Sequence, residues 1–269
     1  LYARAFLTQT RHSEFESRTL DFIARLDGAY SDHTIRAYRY NLWQISLFCQ
    51  KHAYLIDALL PDQFNHYLLE DCKNDKASTI DRRISSYREY LHFIQAPNVT
   101  KHPDVKFCLR KIYRRIGCLR KQARPLQRHE VDLMLVTCDL DNPCGLRNAV
   151  MLELGYHSMR RGEEICSLRF DDIQIRPNGK MAILLRRSKT DQYGHGKWIG
   201  FPSSIAPLIE RWKTYLNVTK GPILRGLYKD GSARTNPLKR ASMRQILYGL
   251  QNAAGIEGEN FSSHSFRVG

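Results

Sequence analysis

A histidine and an arginine stand three residues apart in the segment His264-Ser265-Phe266-Arg267-Val268-Gly269. In a helix this spacing places the two side chains about one turn apart on the same face. A guanidinium binds phosphate through paired hydrogen bonds, and an imidazole beside it can grip the same group. The pair therefore indicates phosphate binding, although the pattern is common and His264 would equally suit a satisfied buried imidazole.

The overall charge of the chain favours a polyanionic partner. Among 269 residues, 42 are Lys or Arg and 27 are Asp or Glu, which gives a formal net charge of +15. Nucleic acid is the usual partner of so basic a protein, whereas a surface charged only for solubility needs a smaller excess. The length suits one large domain or two small ones.

Targeting and cysteine patterns indicate a cytoplasmic protein. No apolar run approaches the roughly 20 residues that span a bilayer, and residues 1–7 are too short and too lightly charged for a signal peptide. The seven cysteines are scattered without a Cys-x-x-Cys pair, so they suit reduced thiols rather than disulfides or a zinc site. The chain begins with Leu1 rather than Met, and we expect it to be part of a longer protein.

Residues 1–104 show apolar side chains at helical spacing, which predicts a bundle of four or five helices. Helices are predicted to begin at Ser31-Asp32, at Pro61-Asp62 and at Ser78-Thr79, where capping residues or a first-turn proline precede an apolar stripe. The third of these helices is predicted to end at Pro97.

Residues 105–125 carry charge of one sign, with no acid between Asp104 and Glu130. Apolar residues interleave as far as residue 116, which predicts the end of a helix followed by a basic linker up to Pro125. A solvated helix face usually carries both signs, so the run favours contact with phosphates. Its basic residues are Lys106, Arg110, Lys111, Arg114, Arg115, Arg120, Lys121 and Arg124.

Residues 126–269 combine helices with a small antiparallel sheet. Strands are predicted at 181–185 and 197–201, joined by a polar, glycine-containing turn. Helices are predicted at 128–138, 145–157, 205–217 and 242–254. The predicted fold class is mainly α, with an N-terminal helical bundle, a basic connection and a second, mostly helical domain.

Residues 156–173 resemble the first catalytic box of the tyrosine recombinase, or phage integrase, family. That box has an arginine, an acid three residues later, Leu or Ile at seven, and Asp-Ile at eleven and twelve. Counting back from Asp172-Ile173 selects Arg161 as the catalytic arginine, with Glu164 as its acid. Arg160 fits only if the register slips by one.

Two further strings extend the resemblance. Arg187-Ser188-Lys189-Thr190 resembles the family's lysine on a β-hairpin turn, and His264–Gly269 resembles its second box. Weaker likeness runs through residues 31–34, 78–80 and 110–115, so that nearly the whole chain is covered. Each box alone is a modest indication, whereas three in order at suitable separations are a strong one.

The resemblance implies a core-binding, SAM-like helical domain over residues 1–104 and a tyrosine-recombinase catalytic domain over residues 126–269, which close around duplex DNA. It implies site-specific recombination, in which strands are cleaved through a 3′-phosphotyrosine, exchanged through a Holliday junction and rejoined. It also implies that four protomers of the full-length protein act together on DNA, usually by passing a C-terminal helix to the neighbour. No cofactor and no metal ion are expected, and the location would be cytoplasmic, with the nucleoid.

The chemistry of the matched residues suits this role. Arg161 and Arg267 can clamp the two non-bridging oxygens of a five-coordinate phosphorus, which stabilises the transition state without a metal. Glu164 can orient Arg161, and Lys189 on its turn can give a proton to the leaving 5′-oxygen. By resemblance, His264 assists proton transfer at the nucleophile and holds the phosphate. Taken singly, these residues also suit a surface ion pair or an ordinary turn lysine.

The family's nucleophile is a tyrosine a few tens of residues beyond the second arginine. The chain has 14 tyrosines, and the last of them, Tyr248, precedes His264. We therefore expect these 269 residues to bind DNA as a monomer without covalent cleavage, and the nucleophile to lie beyond Gly269 in a longer protein. A natural fragment without catalytic activity is the alternative.

The resemblance also implies which helix ends face DNA. Helices beginning near Ser31 and Ser78 would enter the major groove, and Arg244 in Ser242-Met243-Arg244 is the candidate for a guanine contact. Any one of these residues equally suits a solvated helix end. The DNA-binding candidates are His33, Arg36, Thr79, Arg82, Arg83, Arg110, Arg114, Arg115, Arg120, Lys121 and Arg244.

Two other functions suit the same residues. A DNA-binding regulator or decoy would keep the DNA contacts without the nucleophile. A relative of the type IB topoisomerases would share the Arg-Lys-Arg chemistry but would relax supercoils without joining two sites. The helical first domain and the amino-acid sequences of the boxes favour recombination.

Overall fold

The structure, a computed structural model, describes residues 17–119, 122–191 and 193–269. By its internal contacts the chain divides into two units, Leu1–Arg120 and Lys121–Gly269. Both units are mainly helical, which confirms the predicted fold class. None of the described helices is long and apolar enough to cross a bilayer.

Helices form the described part of the first unit. They are residues 17–26 (α1), Asp32–His52 (α2), Pro61–Glu70 (α3), Ala77–Phe93 (α4) and Pro103–Ile116 (α5). Ser31 caps α2 as predicted, because its Oγ accepts a hydrogen bond from the backbone N–H of Thr34 (3.3 Å). Pro61 occupies the first turn of α3, where a missing N–H leaves no helical bond unmade.

The predicted bounds of α4 need correction at both ends. The helix begins at Ala77, and its cap residue Lys76 makes no side-chain capping bond, so Ser78 already lies inside the first turn. The helix ends at Phe93 rather than at Pro97. Gln95 adopts a left-handed conformation (φ 56°), and the N–H of Ala96 bonds back to the carbonyl of residue 91 (2.9 Å), which closes the helix before the proline is reached.

An apolar core lies inside the first unit. Aromatic rings fill much of it, as where Phe64 stacks on Tyr87 with ring centroids 5.5 Å apart. Helix α5 contributes one face to this core through Val105, Cys108 and Ile112, while its basic residues lie on the opposite, exposed face. The basic helix is therefore packed into the first unit, which extends to Arg120.

The second unit alternates helices with small antiparallel sheets. Its described helices are Arg128–Val136 (α6), Pro143–Ser158 (α7), Gly162–Cys166 (α8), Ala206–Leu216 (α9), Arg240–Ala253 (α10) and Ser265–Val268 (α11). Its described strands are Ile173–Ile175 (β1), Met181–Leu185 (β2), Lys197–Phe201 (β3), Arg225–Leu227 (β4) and Ala233–Pro237 (β5). One sheet has the order β1-β2-β3, and β4 pairs with β5.

The predicted pairing of β2 with β3 is confirmed, with Ile183 opposite Ile199 in the register. Strands β1, β4 and β5 were not predicted. Two of them are only three residues long, and β5 is mostly exposed and polar, so neither length nor apolar alternation marked them.

Helix α7 lies in the core of the second unit. It buries residues on most of its circumference, including Leu146, Val150 and Leu154. Trp212 of α9 is fully buried in the same core, and its Nε1–H donates to the carbonyl of Ile223 (2.7 Å). A helix packed on most sides is a rigid support for the loop at its carboxyl end.

Replacing Ser31 with alanine should lower the free energy of unfolding of the first unit by about 1 kcal/mol, because the α2 cap is lost. Urea denaturation followed by far-UV circular dichroism measures this. The matched control is Ser78→Ala, which lies inside α4 rather than at its cap and should change stability by less than about 0.5 kcal/mol. Equal losses in the two variants would contradict the capping role of Ser31.

Candidate active site

The loop between α7 and α8 presents Arg161. Helix α7 ends where Met159 adopts a left-handed conformation (φ 51°), and Arg161 has the extended backbone of a helix N-cap. Its Nη1 donates to Oε1 of Glu164 (2.9 Å), and its backbone N–H donates to Oε2 of the same residue (3.3 Å). Glu164 is only 5% exposed, so a buried carboxylate holds the guanidinium in place.

The surroundings of Glu164 keep it ionised. Burial raises the pKa of this carboxyl, but hydrogen bonds from the side chain and backbone of Arg161 and from the backbone of Lys189 outweigh burial, and the pKa lies below its ordinary value. The carboxylate therefore stays charged through the neutral range, and its attraction for Arg161 persists there.

The turn between β2 and β3 brings Lys189 to the same carboxylate. The backbone N–H of Lys189 donates to Oε1 of Glu164 (3.4 Å), while the lysine side chain is exposed. Asp191 shapes the turn, because its carboxylate accepts hydrogen bonds from the backbone N–H groups of residues 194–196 at 2.8–3.0 Å. One acid thus contacts both Arg161 and the turn that carries the lysine.

The base of this hairpin is tied to the end of the first box. Arg186, which directly follows β2, donates from Nε and Nη2 to the carboxylate of Asp172, with N–O distances of 2.8–3.0 Å. Such a bidentate ion pair fixes the orientation of the two side chains as well as the distance between them. Asp172 therefore holds the strand that leads into the Lys189 turn.

The second box lies against the first. A Cβ built on Gly162 would come within 2.6 Å of the Cβ of Ser263, and a Cβ on Gly155 would come equally close to the ring of Phe266. No side chain larger than hydrogen fits at either position without displacing its neighbour. These two glycines allow the second box to pack beside the loop that presents Arg161.

His264 and Arg267 are both exposed on the short helix α11. His264 is its N-cap residue, and its carbonyl accepts a hydrogen bond from the backbone N–H of Arg267 (3.0 Å). The alternative of a buried, satisfied imidazole at position 264 is therefore excluded. A cleft of about 640 Å³ opens beside His264, and its other lining residues are Gln122, Ala123, Arg124, Glu259, Asn260, Ser262 and Val268.

Two arginines near the site were not among the predicted active-site residues. Arg240, at the start of α10, pairs with Glu163 (3.4 Å), and its Cγ lies beside Gly162. Arg124 donates to the backbone carbonyl of Glu257 (2.7 Å) and so ties the end of the basic linker to the segment before the second box. Arg240 stands two residues before the helix predicted at 242–254, and nothing in the spacing linked that helix to the first box.

Most of the predicted DNA-binding side chains are exposed. Arg120 and Lys121 lie outside the described residues. The exposed candidates are His33 and Arg36 on α2, Arg82 on α4, Arg110, Arg114 and Arg115 on α5, and Arg244 on α10, while Thr79 is half-buried.

The prediction that Arg83 contacts DNA needs correction. Its side chain faces the core on the same stripe of α4 as Ile80 and Tyr87, because residues three and four apart share a helix face. Arg83 is 8% exposed and pairs with Asp71 (2.8 Å) and Asp75 (3.0 Å). It is a structural residue of the first unit.

The lowered pKa of Glu164 predicts a stability effect with a definite sign. A carboxyl whose pKa is depressed on folding stabilises the protein above its unfolded pKa, and this contribution is lost as the pH falls through the folded value. Wild type should therefore melt above Glu164→Gln near neutral pH, and the difference should shrink below about pH 4.5. Thermal unfolding between pH 7 and pH 3.5 measures it. A difference that grows on acidification would contradict this account of Glu164.

Comparison with known protein families gives matches in both units. Residues 124–269 match the sequence model of the "Phage integrase family", and residues 21–97 match that of the "Phage integrase, N-terminal SAM-like domain".

Individual relatives are more distant. The chain is 26% identical over 254 residues to an integrase/recombinase XerD homolog of Selenomonas ruminantium, covering 91% of this chain and 74% of that protein. It is 23% identical over 259 residues to the recombinase Cre of Escherichia phage P1, covering 90% and 76%. Among solved structures, a lambda integrase dimer bound to a COC′ core site shares the fold with a TM-score of 0.62 at 14% identity, covering 94% of this chain and 83% of that one.

Proposed function

Because the chain belongs to the phage integrase family, we propose that it acts in site-specific DNA recombination of the tyrosine type. In this reaction DNA strands are cleaved through a 3′-phosphotyrosine, exchanged through a Holliday junction and rejoined. The single observation that carries the proposal is the shared contact of Glu164, which bonds Arg161 and the backbone of Lys189.

The proposed roles follow from charge and exposure. Arg161 and Arg267 bind the non-bridging oxygens of the scissile phosphate and stabilise the charge that grows there as phosphorus becomes five-coordinate. Lys189 gives a proton to the leaving 5′-oxygen, which suits an exposed ammonium on a turn. His264 holds the phosphate and assists proton transfer at the nucleophile. Glu164 positions Arg161 and the lysine turn rather than touching DNA, because it is buried.

The proposed partner is double-stranded DNA carrying a specific recombination site. In the first unit the contacts come from His33, Arg36, Thr79 and Arg82, and from Arg110, Arg114 and Arg115 of α5. In the second unit Arg244 of α10 reads a base. The full-length protein would act as a homotetramer on DNA in the cytoplasm, with the nucleoid, whereas residues 1–269 would be monomeric. A stable DNA-free tetramer in size-exclusion chromatography would contradict the monomer.

We further propose that none of the 14 tyrosines in these 269 residues is the nucleophile. The last of them, Tyr248, precedes both His264 and Arg267, which is the reverse of the family's order. On a nicked suicide substrate, which traps the cleaved state, residues 1–269 should bind without a covalent adduct. A mass-spectrometric adduct on any of these tyrosines would contradict the proposal.

The test of the function itself begins with a selection of oligonucleotides that the chain binds, followed by footprinting. The whole gene product is then given two copies of that site on one supercoiled plasmid. Joining of the two sites supports recombination. Relaxation that needs no second site would indicate a type IB topoisomerase, and bound sites without strand exchange would indicate a regulator or decoy.

Two DNA-contact variants should have different signatures. Arg244→Ala should weaken the binding free energy for the selected DNA site by about 1–3 kcal/mol, because a bidentate contact to guanine is lost. The variant should also discriminate less between bases at that one base pair. Arg114→Gln should weaken binding to all sequences and lower the salt slope of log K by about 1, because a phosphate contact is lost. Fluorescence anisotropy over a salt series, with single-base substitutions in the site, measures both. Uniform weakening by Arg244→Ala would contradict base readout.

A further inference from the structure

Two histidines and a glutamate meet at the junction of α2 and α3, away from the residues proposed for recombination. His52 is the last residue of α2, and His66 and Glu70 stand four residues apart on α3. Their ligand atoms all lie within 4.8 Å of one another. Nε2 of His52 is 3.2 Å from Oε1 of Glu70, and Nε2 of His66 is 2.8 Å from Oε2.

We propose that His52, His66 and Glu70 form a binding site for a divalent transition-metal ion, with Zn²⁺ as the best-suited member of the class. Two imidazole nitrogens and one carboxylate are ligands that zinc uses, leaving a fourth position for water. Ligand atoms about 2 Å from a tetrahedral ion lie about 3.3 Å apart, so the observed separations need only small side-chain movements.

The surroundings orient the ligands as metal sites require. The Tyr54 hydroxyl lies 3.1 Å from Nδ1 of His66, so that ring is held with its other nitrogen, Nε2, facing the carboxylate. A partner on the second ring nitrogen is the usual support of a metal-binding histidine. Phe48 packs against both imidazoles, with ring centroids 4.5 Å from His52 and 5.2 Å from His66.

Lys51 competes with a metal ion for the same carboxylate. Its Nζ lies 2.5 Å from Oε1 of Glu70, the same oxygen that faces His52. The lysine side chain is 67% exposed, so it can turn into solvent when an ion binds.

Metal binding would tie the end of α2 to α3 across the connection of residues 53–60. Because an ion that binds only the folded state raises stability, zinc should stabilise the first unit. Helix α2 carries His33 and Arg36 at its other end, so the ion would brace a helix proposed to contact DNA without touching the catalytic residues.

The experiment is a titration of tag-free, metal-stripped protein with Zn²⁺ by calorimetry, with Co²⁺ absorption as a spectroscopic check on the ligand geometry. One equivalent should bind and raise Tm. Loss of a ligand in His52→Gln or Glu70→Gln should weaken affinity by at least about 100-fold, since supporting residues alone are worth 10–100-fold. Tyr54→Phe should weaken it by about 10-fold.

Two controls make the test specific to this cluster. Lys51→Met should tighten zinc binding, because it removes the competing ammonium and keeps all ligands. His92→Gln, on an exposed histidine of α4, should change nothing. Melting in EDTA checks that each variant folds. Absence of stoichiometric zinc in the wild type, or affinity unchanged by both Glu70→Gln and Lys51→Met, would overturn the proposal.

Discussion

Replacing Arg161 with glutamine should lower the rate of strand exchange by about 10²–10³, the usual cost of removing one preorganised donor from a developing oxyanion. Glutamine keeps hydrogen-bonding ability but loses the charge and the two-pronged geometry. The affinity for uncleaved DNA should fall only by the contribution of one phosphate contact among many. The reason is that the interaction of Arg161 with the phosphate strengthens mainly in the transition state. Strand-exchange rates of the whole gene product on the selected site, with anisotropy for binding, separate the two effects.

The neighbouring arginine is the matched control for Arg161. Arg160→Gln changes the same residue type one position away, and it should keep most of the activity because Glu164 holds the guanidinium of Arg161. A large loss in Arg160→Gln with little loss in Arg161→Gln would show that the register of the first box is shifted by one. Arg161→Lys should recover only part of the rate, since lysine cannot bind two oxygens at once.

Replacing Lys189 with methionine should lower the cleavage rate by about 10²–10⁴, the range for loss of a positioned general acid. A more specific expectation is that a modified substrate restores cleavage by the Lys189→Met variant. A substrate whose leaving 5′-oxygen is replaced by sulfur has a leaving group that departs without a proton, so Lys189→Met should regain most of its rate on this substrate. Arg161→Gln should not, because its defect is in the charge on the non-bridging oxygens.

The control for Lys189 lies on the same turn. Arg187→Met removes a cation two residues away without removing the proposed acid, so it should cleave the ordinary substrate at close to the wild-type rate. If sulfur substitution fails to rescue Lys189→Met, the lysine contributes binding or positioning rather than a proton.

Long, periodic elements could be predicted from the sequence because burial of one face dictates their pattern. Helices α2, α5 and α10 and the β2–β3 pair all appear close to their predicted positions. Strands β1, β4 and β5 could not be predicted from the sequence, because such short strands form where a pairing partner is present and not because of a local pattern. Arg83 shows a related limit, since its neighbours Asp71 and Asp75 on another part of the chain decide that a basic residue lies inside.

The sequence indicated which residues make up the candidate site, but not which of them contact one another. The boxes specify Arg161, Glu164 and Lys189, yet the bond from the backbone of Lys189 to Glu164 joins residues 25 positions apart. The place of Arg240 beside Glu163 depends on how α10 packs against α8. The histidine–glutamate cluster was missed for the same reason, because a search for paired cysteines or clustered acids finds no link between His52 and His66.

Arg161 and its partners are proposed to bind one particular phosphate of the recombination site. To test this, each phosphate around the footprinted site is replaced, one at a time, with a neutral methylphosphonate, and binding is measured for wild type and for Arg161→Gln. We expect one position where neutralising the phosphate weakens wild-type binding but has little effect on the variant, because the positive charge of Arg161 is already absent there. Identical profiles for the two proteins at every phosphate would contradict it.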